Sequence, residues 1–369
     1  MVESMSRIWI RMAAVLAAVA AAVSCATSAV EYVGSTYYFY GPDAALEVLD
    51  EYEVLPEDRA LAEVERAMAL LELGRYAESF AALSRAEFML DRLDEEVLSG
   101  FDHEAPPWRP ESHERVMIST LQIANSLAMH DMGAAAEAAD RAVSDMADAA
   151  CDSCRFTFTR VLAALAYEGA GRHTDGRDLL ALTTVEGRGL ELVEELQRRL
   201  ARGVAGDEPA GWAPPPVEGD RTLEVVLLLG RGPYKEADKL AVTESETIRW
   251  CRYLPRDPQA VTWAALEVED PVISVELTAV EDLAVASLGD RAGRVVAERG
   301  AGVDPKSYDL RHWESLPASL QILNFELPPF LDTIDLVFYS PEGYEVDRET
   351  IQWPDDWTGG RLFVIRRMP

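Results

Sequence analysis

Lysine is almost missing from this chain of 369 residues: Lys235, Lys239 and Lys306 are the only three. Lysine and arginine together supply 34 positive charges against 65 carboxylates, a formal charge of −31. A surface of that sign repels a phosphate backbone, which excludes nucleic acid as a partner. Histidine is sparse too, with five residues at positions 103, 113, 130, 173 and 312, too scattered to assemble a catalytic constellation. The Gly-x-Ser-x-Gly elbow of a serine hydrolase does not occur. In "GRGPYKEA", Gly230 to Ala237, an apolar run meets a glycine turn and a lysine, as phosphate loops do. Pro233 has no amide hydrogen to donate there, and no hydroxyl residue follows Lys235, so a nucleotide cradle is excluded. Neighbouring acids such as Glu281-Asp282 and Asp355-Asp356 fit solvated surface better than an acid/base pair. The expectation is a non-enzymatic protein with no catalytic residues, no cofactor and no metal.

Long apolar runs are also missing. Met12 to Val23, "MAAVLAAVAAAV", is too short to span a bilayer, and nothing later reaches the roughly 18 residues a transmembrane helix needs. With Arg7 and Arg11 ahead of it, that run fits the core of a signal peptide over residues 1–24. Ala22-Val23-Ser24-Cys25 then resembles a bacterial lipobox, with Ala22 where leucine is usual, making Cys25 the candidate lipidation (palmitate) site; ordinary cleavage at a small residue is the alternative. Several acyl chains would hold the protein on a membrane without a spanning helix. Ala26 after the cysteine favours the outer membrane, facing the periplasm, and residues 25–42 read as a tether. Three cysteines follow. Cys151 and Cys154 have redox-motif spacing without the βαβ context of a thioredoxin-like site, which leaves a local disulfide ahead of free thiols or a catalytic dithiol. Cys251 reads as a buried thiol.

From Pro42 to Ala201 the chain is rich in Ala, Leu and Glu with i, i+3, i+4 apolar spacing, which predicts successive amphipathic helices. In "LELGRYAESFAALSRAEFML", Gly74 is followed by Tyr76, Ser79, Leu83 and Ala86, an order that resembles the second half of a tetratricopeptide repeat. The offsets recur at Gly171, His173, Gly176, Leu180 and Thr183, and at His130, Met132, Ala135, Ala139 and Ala142. The turns lie 56 and 41 residues apart and Glu63 replaces a large apolar residue, so residues 43–201 read as a degenerate array of about three helical hairpins, against a generic bundle. Between hairpins, His103, Glu104, His113 and Glu114 match no zinc spacing and read as capping and loop polarity.

Residues 202–220 are dense in Gly and Pro and read as a linker. Beyond it, "TLEVVLLL", "VISVEL", "SLQILNFEL", "TIDLVFYS" and "RLFVIRR" predict strands, and Ala279 to Arg299 predicts one helix, N-capped by Thr278 with Glu281 three residues on. Residues 221–369 thus read as a smaller β-rich α+β domain, and the whole as an α+β multi-domain chain. In "YDLRHWESLP", Trp313 beside Arg311 reads either as an exposed recognition residue or, more often, as packing over a sheet edge while Arg311 pairs with Asp309.

The order of lipobox, helical repeats, linker, "VVLLLGRGPYK", "AVEDLAVAS" and "DLRHWESLPASLQI" resembles a family of bacterial tetratricopeptide-type envelope lipoproteins. The resemblance rests on Gly230, Pro233 and Lys235, on Val280, Glu281 and Asp282, and on Asp309, Arg311, Trp313, Leu316 and Pro317. It implies an envelope interaction protein and no activity. The expected function is therefore a lipid-anchored scaffold that takes a protein or peptide through a repeat groove. Candidate contact residues are Tyr76, Lys235, Lys239, Asp309, Arg311 and Trp313. The alternative is a glycan- or cell-wall-directed enzyme or receptor with its site between the domains.

Overall fold

The computed structural model describes residues 29–98, 107–149, 155–183, 188–205, 221–232, 234–243, 246–254, 260–268, 273–282, 296–297, 312–328, 331–354 and 361–368. The chain is α+β, with helices first and strands after. The helices are α1 (Ala29–Tyr40), α2 (Pro42–Glu51), α3 (Arg59–Glu72), α4 (Tyr76–Leu98), α5 (Ser112–Ala128), α6 (Met132–Asp148), α7 (Thr157–Gly169), α8 (His173–Leu180) and α9 (Arg188–Ala205).

Three hairpins, α3/α4, α5/α6 and α7/α8, are turned by one repeated device. At the first, the amide of Arg75 donates to Leu70 O at 2.8 Å and that of Gly74 to Leu71 O at 2.9 Å. The second uses Asp131 to Ser126 and His130 to Leu127, and the third uses Arg172 to Tyr167 and Gly171 to Glu168. Each is a Schellman cap, which needs one residue in the left-handed region. Gly74 (φ 71°) and Gly171 (φ 75°) adopt it freely, while His130 (φ 57°) carries a Cβ there. The small residues at the shared offsets are buried, Ala86, Ala139 and Ala142 among them, because they lie where helices cross. Asn125 Nδ2 donates to Ser79 Oγ at 2.9 Å and ties the first hairpin to the second.

The strands are β1 (Arg221–Leu229), β2 (Tyr234–Thr243), β3 (Glu246–Leu254), β4 (Trp263–Val268), β5 (Ile273–Glu276), β6 (Thr278–Asp282), β7 (Val296–Ala297), β8 (Ser319–Leu327), β9 (Thr333–Tyr339), β10 (Glu345–Gln352) and β11 (Arg361–Met368). They form a first four-stranded sheet β11-β1-β8-β6, a second β10-β9-β4-β5, and a three-stranded β2-β3-β7. Among the described residues only the β1–β11 pair is parallel. Leu223, Val225, Leu227 and Leu229 of β1 pack with Leu266, Leu336 and Phe338 between the two four-stranded sheets. Val226 and Leu228 pack the other way, with Phe363, Ile365, Leu320 and Ile322, into the core of the helices. Burial on both faces is why β1 reads as an unbroken apolar run instead of an alternating one. The fold is thus three layers: helices, first sheet, second sheet.

Three sequence expectations are corrected. Residues 25–42 are not a tether throughout, because Ala29–Tyr40 is helix α1, with Val30, Val33 and Tyr37 buried in the helical core. The helix expected from Ala279 is not formed at its start: Thr278–Asp282 is strand β6, with Thr278 opposite Ile322 of β8. Backbone pairing across 44 residues overrides a local capping-box spacing there. Finally, α9 runs to Ala205, so the first residues of the expected 202–220 linker are helical. The linker position separates two textures of sequence but not two cores, since the helices and the first sheet share one.

Candidate interaction surfaces at the junction of helices and sheet

The first helix of each hairpin faces the sheet: α3 and α5 meet β11, and α7 meets β6 with α9 beside it. The face that a repeat array would offer a partner is therefore already covered by the same chain. At one end the covering element is the turn His312–Leu316, held as a peptide ligand would be. Glu114 of α5 accepts the Trp313 amide at 2.8 Å, and Glu65 of α3 accepts the Glu314 amide at 2.7 Å and the Ser315 amide at 3.2 Å. Tyr38 donates its hydroxyl to Glu314 O at 2.8 Å, and Arg367 reaches Ser315 O at 3.3 Å. Glu314 presses against α1 so closely that a Cβ on Gly34 would stand 2.5 Å from Glu314 Cβ. His312 Nε2 lies 3.0 Å from the Glu314 carboxylate, and the Arg231 guanidinium sits 3.8 Å over the Tyr38 ring. Burial pushes the Glu65 carboxyl up to about 7, against the pull of the amides it accepts. Burial likewise raises Tyr37 and Glu72, which share a hydrogen bond next to this turn.

The other end buries charges of both signs. Arg199 of α9 donates to both Glu168 oxygens at 3.0 Å and lies 3.5 Å from Glu224 of β1, while Arg361 of β11 reaches Glu168 at 2.7 Å. Asn324 of β8 adds a hydrogen bond to Glu224 at 2.7 Å. Burial pushes Glu168 up, but Arg199 and Arg361 together outweigh it and hold the carboxyl below its ordinary value. Glu224 is farther from the guanidinium groups, and burial raises it.

Beside this network lies a cleft of about 630 Å³ between α9 and the edges of both four-stranded sheets. Leu192 and Glu195 of α9, Trp263 of β4, Ser274, Val275 and Glu276 of β5, and Leu323 and Asn324 of β8 line it. Trp263 stacks on Tyr339 with centroids 4.0 Å apart and planes 10° from parallel. Here β6 pairs with β8 only from Ser319 to Ile322, whereas β1 pairs with it to Leu327. Among the described residues, 323–327 of β8 therefore have a strand partner on one side only. A second cleft of about 420 Å³ lies between the first hairpin turn and β9–β11, with Glu72, Gly74, Glu349, Arg366 and Arg367 in its wall.

The sequence-derived contact residues that the structure describes do not form one exposed surface. Trp313 is 1% exposed, with Nε1 donating to Ser315 Oγ at 2.9 Å, so it packs between helices and sheet instead of offering a recognition surface. Half-buried Tyr76 bonds Arg366, which Glu349 holds at 2.6 Å; this is an internal contact between α4 and the sheets. Lys235 and Lys239 fall within β2, opposite Tyr253 and Arg249 of β3, and the glycine turn that ends β1 lies before them at Gly230, φ 67°. Cys25, Cys151, Cys154, Asp309, Arg311, His103 and Glu104 lie outside the described residues. Glu114 closes back on its own helix start, accepting the Glu111 amide at 2.9 Å, as a cap does. Sequence reasoning missed Glu65, Glu168 and Arg199. Each interrupts a buried helical stripe, as Glu65 does between Leu61 and Met68, and that interruption was the available signal. Among the described residues there is no group of three or more His, Cys, Asp or Glu placed to hold a metal ion, and no helix long and apolar enough to cross a membrane.

No protein-family model matches the chain, and no curated protein matches it either. Among solved structures it is similar to the crystal structure of MamA at 16% identity, over 50% of this chain and 84% of that one, with a TM-score of 0.28.

Proposed function

We propose that the protein is a lipid-anchored, non-enzymatic scaffold of the cell envelope, held at Cys25 on the outer membrane and facing the periplasm, which binds an extended segment of a protein partner. The binding place we assign is the cleft beside α9 and not the first-helix face, which the chain's own turn occupies. One observation carries this reading: the half-paired edge of β8 opens into a 630 Å³ cleft. An extended peptide can add to such an edge by main-chain hydrogen bonds while alternate side chains enter the pocket. Glu195 and Glu276 on its rim, in a chain of charge −31, favour a basic segment. Trp263 supplies an apolar wall with little entropy to lose.

A photo-crosslinking residue in place of Leu192, introduced into the full chain in intact envelopes, tests this. The expected result is one discrete protein adduct that Glu276→Arg abolishes and that the same crosslinker at Phe88, on the outer face of α4, does not form. Labelling no stronger at Leu192 than at Phe88 would defeat it. The stacked Trp263 and the rim carboxylates also suit a glycan receptor at the same cleft, and an adduct carrying sugar instead of protein would select that reading.

A further inference from the structure

The first described helix, α1, and the residue after α2 carry an apolar surface that the cleft does not use. On α1, Tyr32 is 49% exposed, Phe39 76% and Tyr40 78%; Tyr52, which follows α2, is 53% exposed and meets Tyr32 edge-on with centroids 5.9 Å apart. Tyr32, Ser35 and Phe39 recur at i, i+3 and i+7 and form an exposed stripe, while Val30, Val33 and Tyr37 bury the opposite side. From Tyr32 to Pro42 no residue is charged. Only three residues, Ala26 to Ser28, separate Cys25 from the start of α1. Fully extended, the step from Cys25 to Ala29 spans at most about 14 Å. An acyl group on Cys25 would therefore bring the start of α1 to within that distance of the lipid surface.

We propose that α1 lies along the bilayer surface and that Tyr32, Phe39 and Tyr40, with Tyr52 at the margin, seat in the headgroup region. The proposal rests on lipidation of Cys25. Tyrosine suits that place because its apolar ring meets the acyl boundary while the phenol hydroxyl stays in the wet layer, and Phe39 adds a purely apolar ring. A 12-residue helix is about 18 Å long, so standing upright it would lift Phe39 and Tyr40 out of reach and leave them in water; lying flat buries them all. The body is then docked edge-on with a fixed orientation. Asp43, Glu47, Asp50, Glu51 and Glu53 are exposed on the helix that follows α1 and just after it, so the seat fits a zwitterionic surface better than an anionic one.

The test is hydroxyl-radical footprinting, read residue by residue by mass spectrometry, on the full lipidated chain in phosphatidylcholine vesicles and on its Cys25→Ser form in solution. Modification of Phe39 and Tyr40 should fall about fivefold or more on vesicles while Tyr344, 73% exposed on the β9–β10 turn, stays unchanged. Phe39→Asp with Tyr40→Asp, both at exposed positions, should still sediment with vesicles but return Tyr32 to its solution level of modification. Equal modification of Phe39 on and off vesicles, with an acyl mass found at Cys25 and the protein sedimenting, overturns the seat and leaves the anchor standing. Absence of the acyl mass overturns both, and protection that depends on protein concentration in the Cys25→Ser form replaces the bilayer with a second copy of the chain.

Discussion

The two ends of the helix–sheet junction bury carboxylates of the same chemistry with different partners. Glu65 is met by the backbone amides of Glu314 and Ser315 and by the Ser315 side chain, and burial pushes its carboxyl up to about 7. Glu168 is met by the guanidinium groups of Arg199 and Arg361 and is held down. Partial charges on amides repay less of the cost of burying an anion than full charges do. Folding therefore favours the neutral form of the Glu65 carboxyl and the ionised form of the Glu168 carboxyl, while Glu224 beside Glu168 follows Glu65. One interface thus carries two opposite pH dependences, which makes Glu65 and Glu168 separable by experiment.

The largest effects come from emptying either end. Trp313→Ala removes a fully buried ring and the Ser315 hydrogen bond and should cost about 3–5 kcal/mol, read by denaturant unfolding of the whole chain. An unchanged melting temperature with loss of a bound partner would restore the recognition role for Trp313. Arg199→Ala leaves Glu168 and Glu224 buried with Arg361 alone and should likewise cost about 3–5 kcal/mol. That loss should shrink in acid as the carboxylates protonate, and a loss independent of pH would point to packing alone.

Next comes a contrast in pH. The folded Glu65 carboxyl, raised from 4.5 to about 7, favours the folded state fully below pH 4.5 and loses that advantage as pH rises through 7. The swing is on the order of 3 kcal/mol. Glu65→Gln keeps an acceptor and the volume, so it should gain on the wild type between pH 5 and pH 8 in paired thermal melts; parallel curves would remove Glu65 as the source. Glu168 runs the other way, its contribution present at neutral pH and lost as pH falls through and below the ordinary carboxylate range, whereas Glu224 in the same network, raised by burial, runs with Glu65.

The smallest effect is local. His130→Gly relieves the one Schellman cap built on a residue with a Cβ and should stabilise the chain by about 0.5–1 kcal/mol, a rise of a few degrees in Tm. A fall would mean that the His130 side chain contributes more than its backbone strain costs.

The helices were legible because their signals are local: each turn repeats the same short offsets from Gly74, His130 or Gly171. The β-rich half was legible only as strand-like texture. Its pairings join residues far apart, such as Thr222 with Arg361, and nothing in either segment names the other. The same distance misled the reading of Thr278–Asp282, where Glu281 three residues after a threonine imitates a capping box, yet β8 supplies the partner that decides. Glu65, Glu168 and Arg199 look like surface charges in sequence because their partners lie on other helices or in the β-rich half. Trp313 was ambiguous for the same reason, and burial against α5 resolves it as packing.

Hydrogen exchange at the amides of Trp313, Glu314 and Ser315 tests most directly whether the chain seals its own array. If Glu114 and Glu65 hold those amides as described, they exchange only through global unfolding, as slowly as the amides of β1. Fast exchange at these three with the helices still protected would show an open groove, and would return the first-helix face to the list of places where a partner can bind.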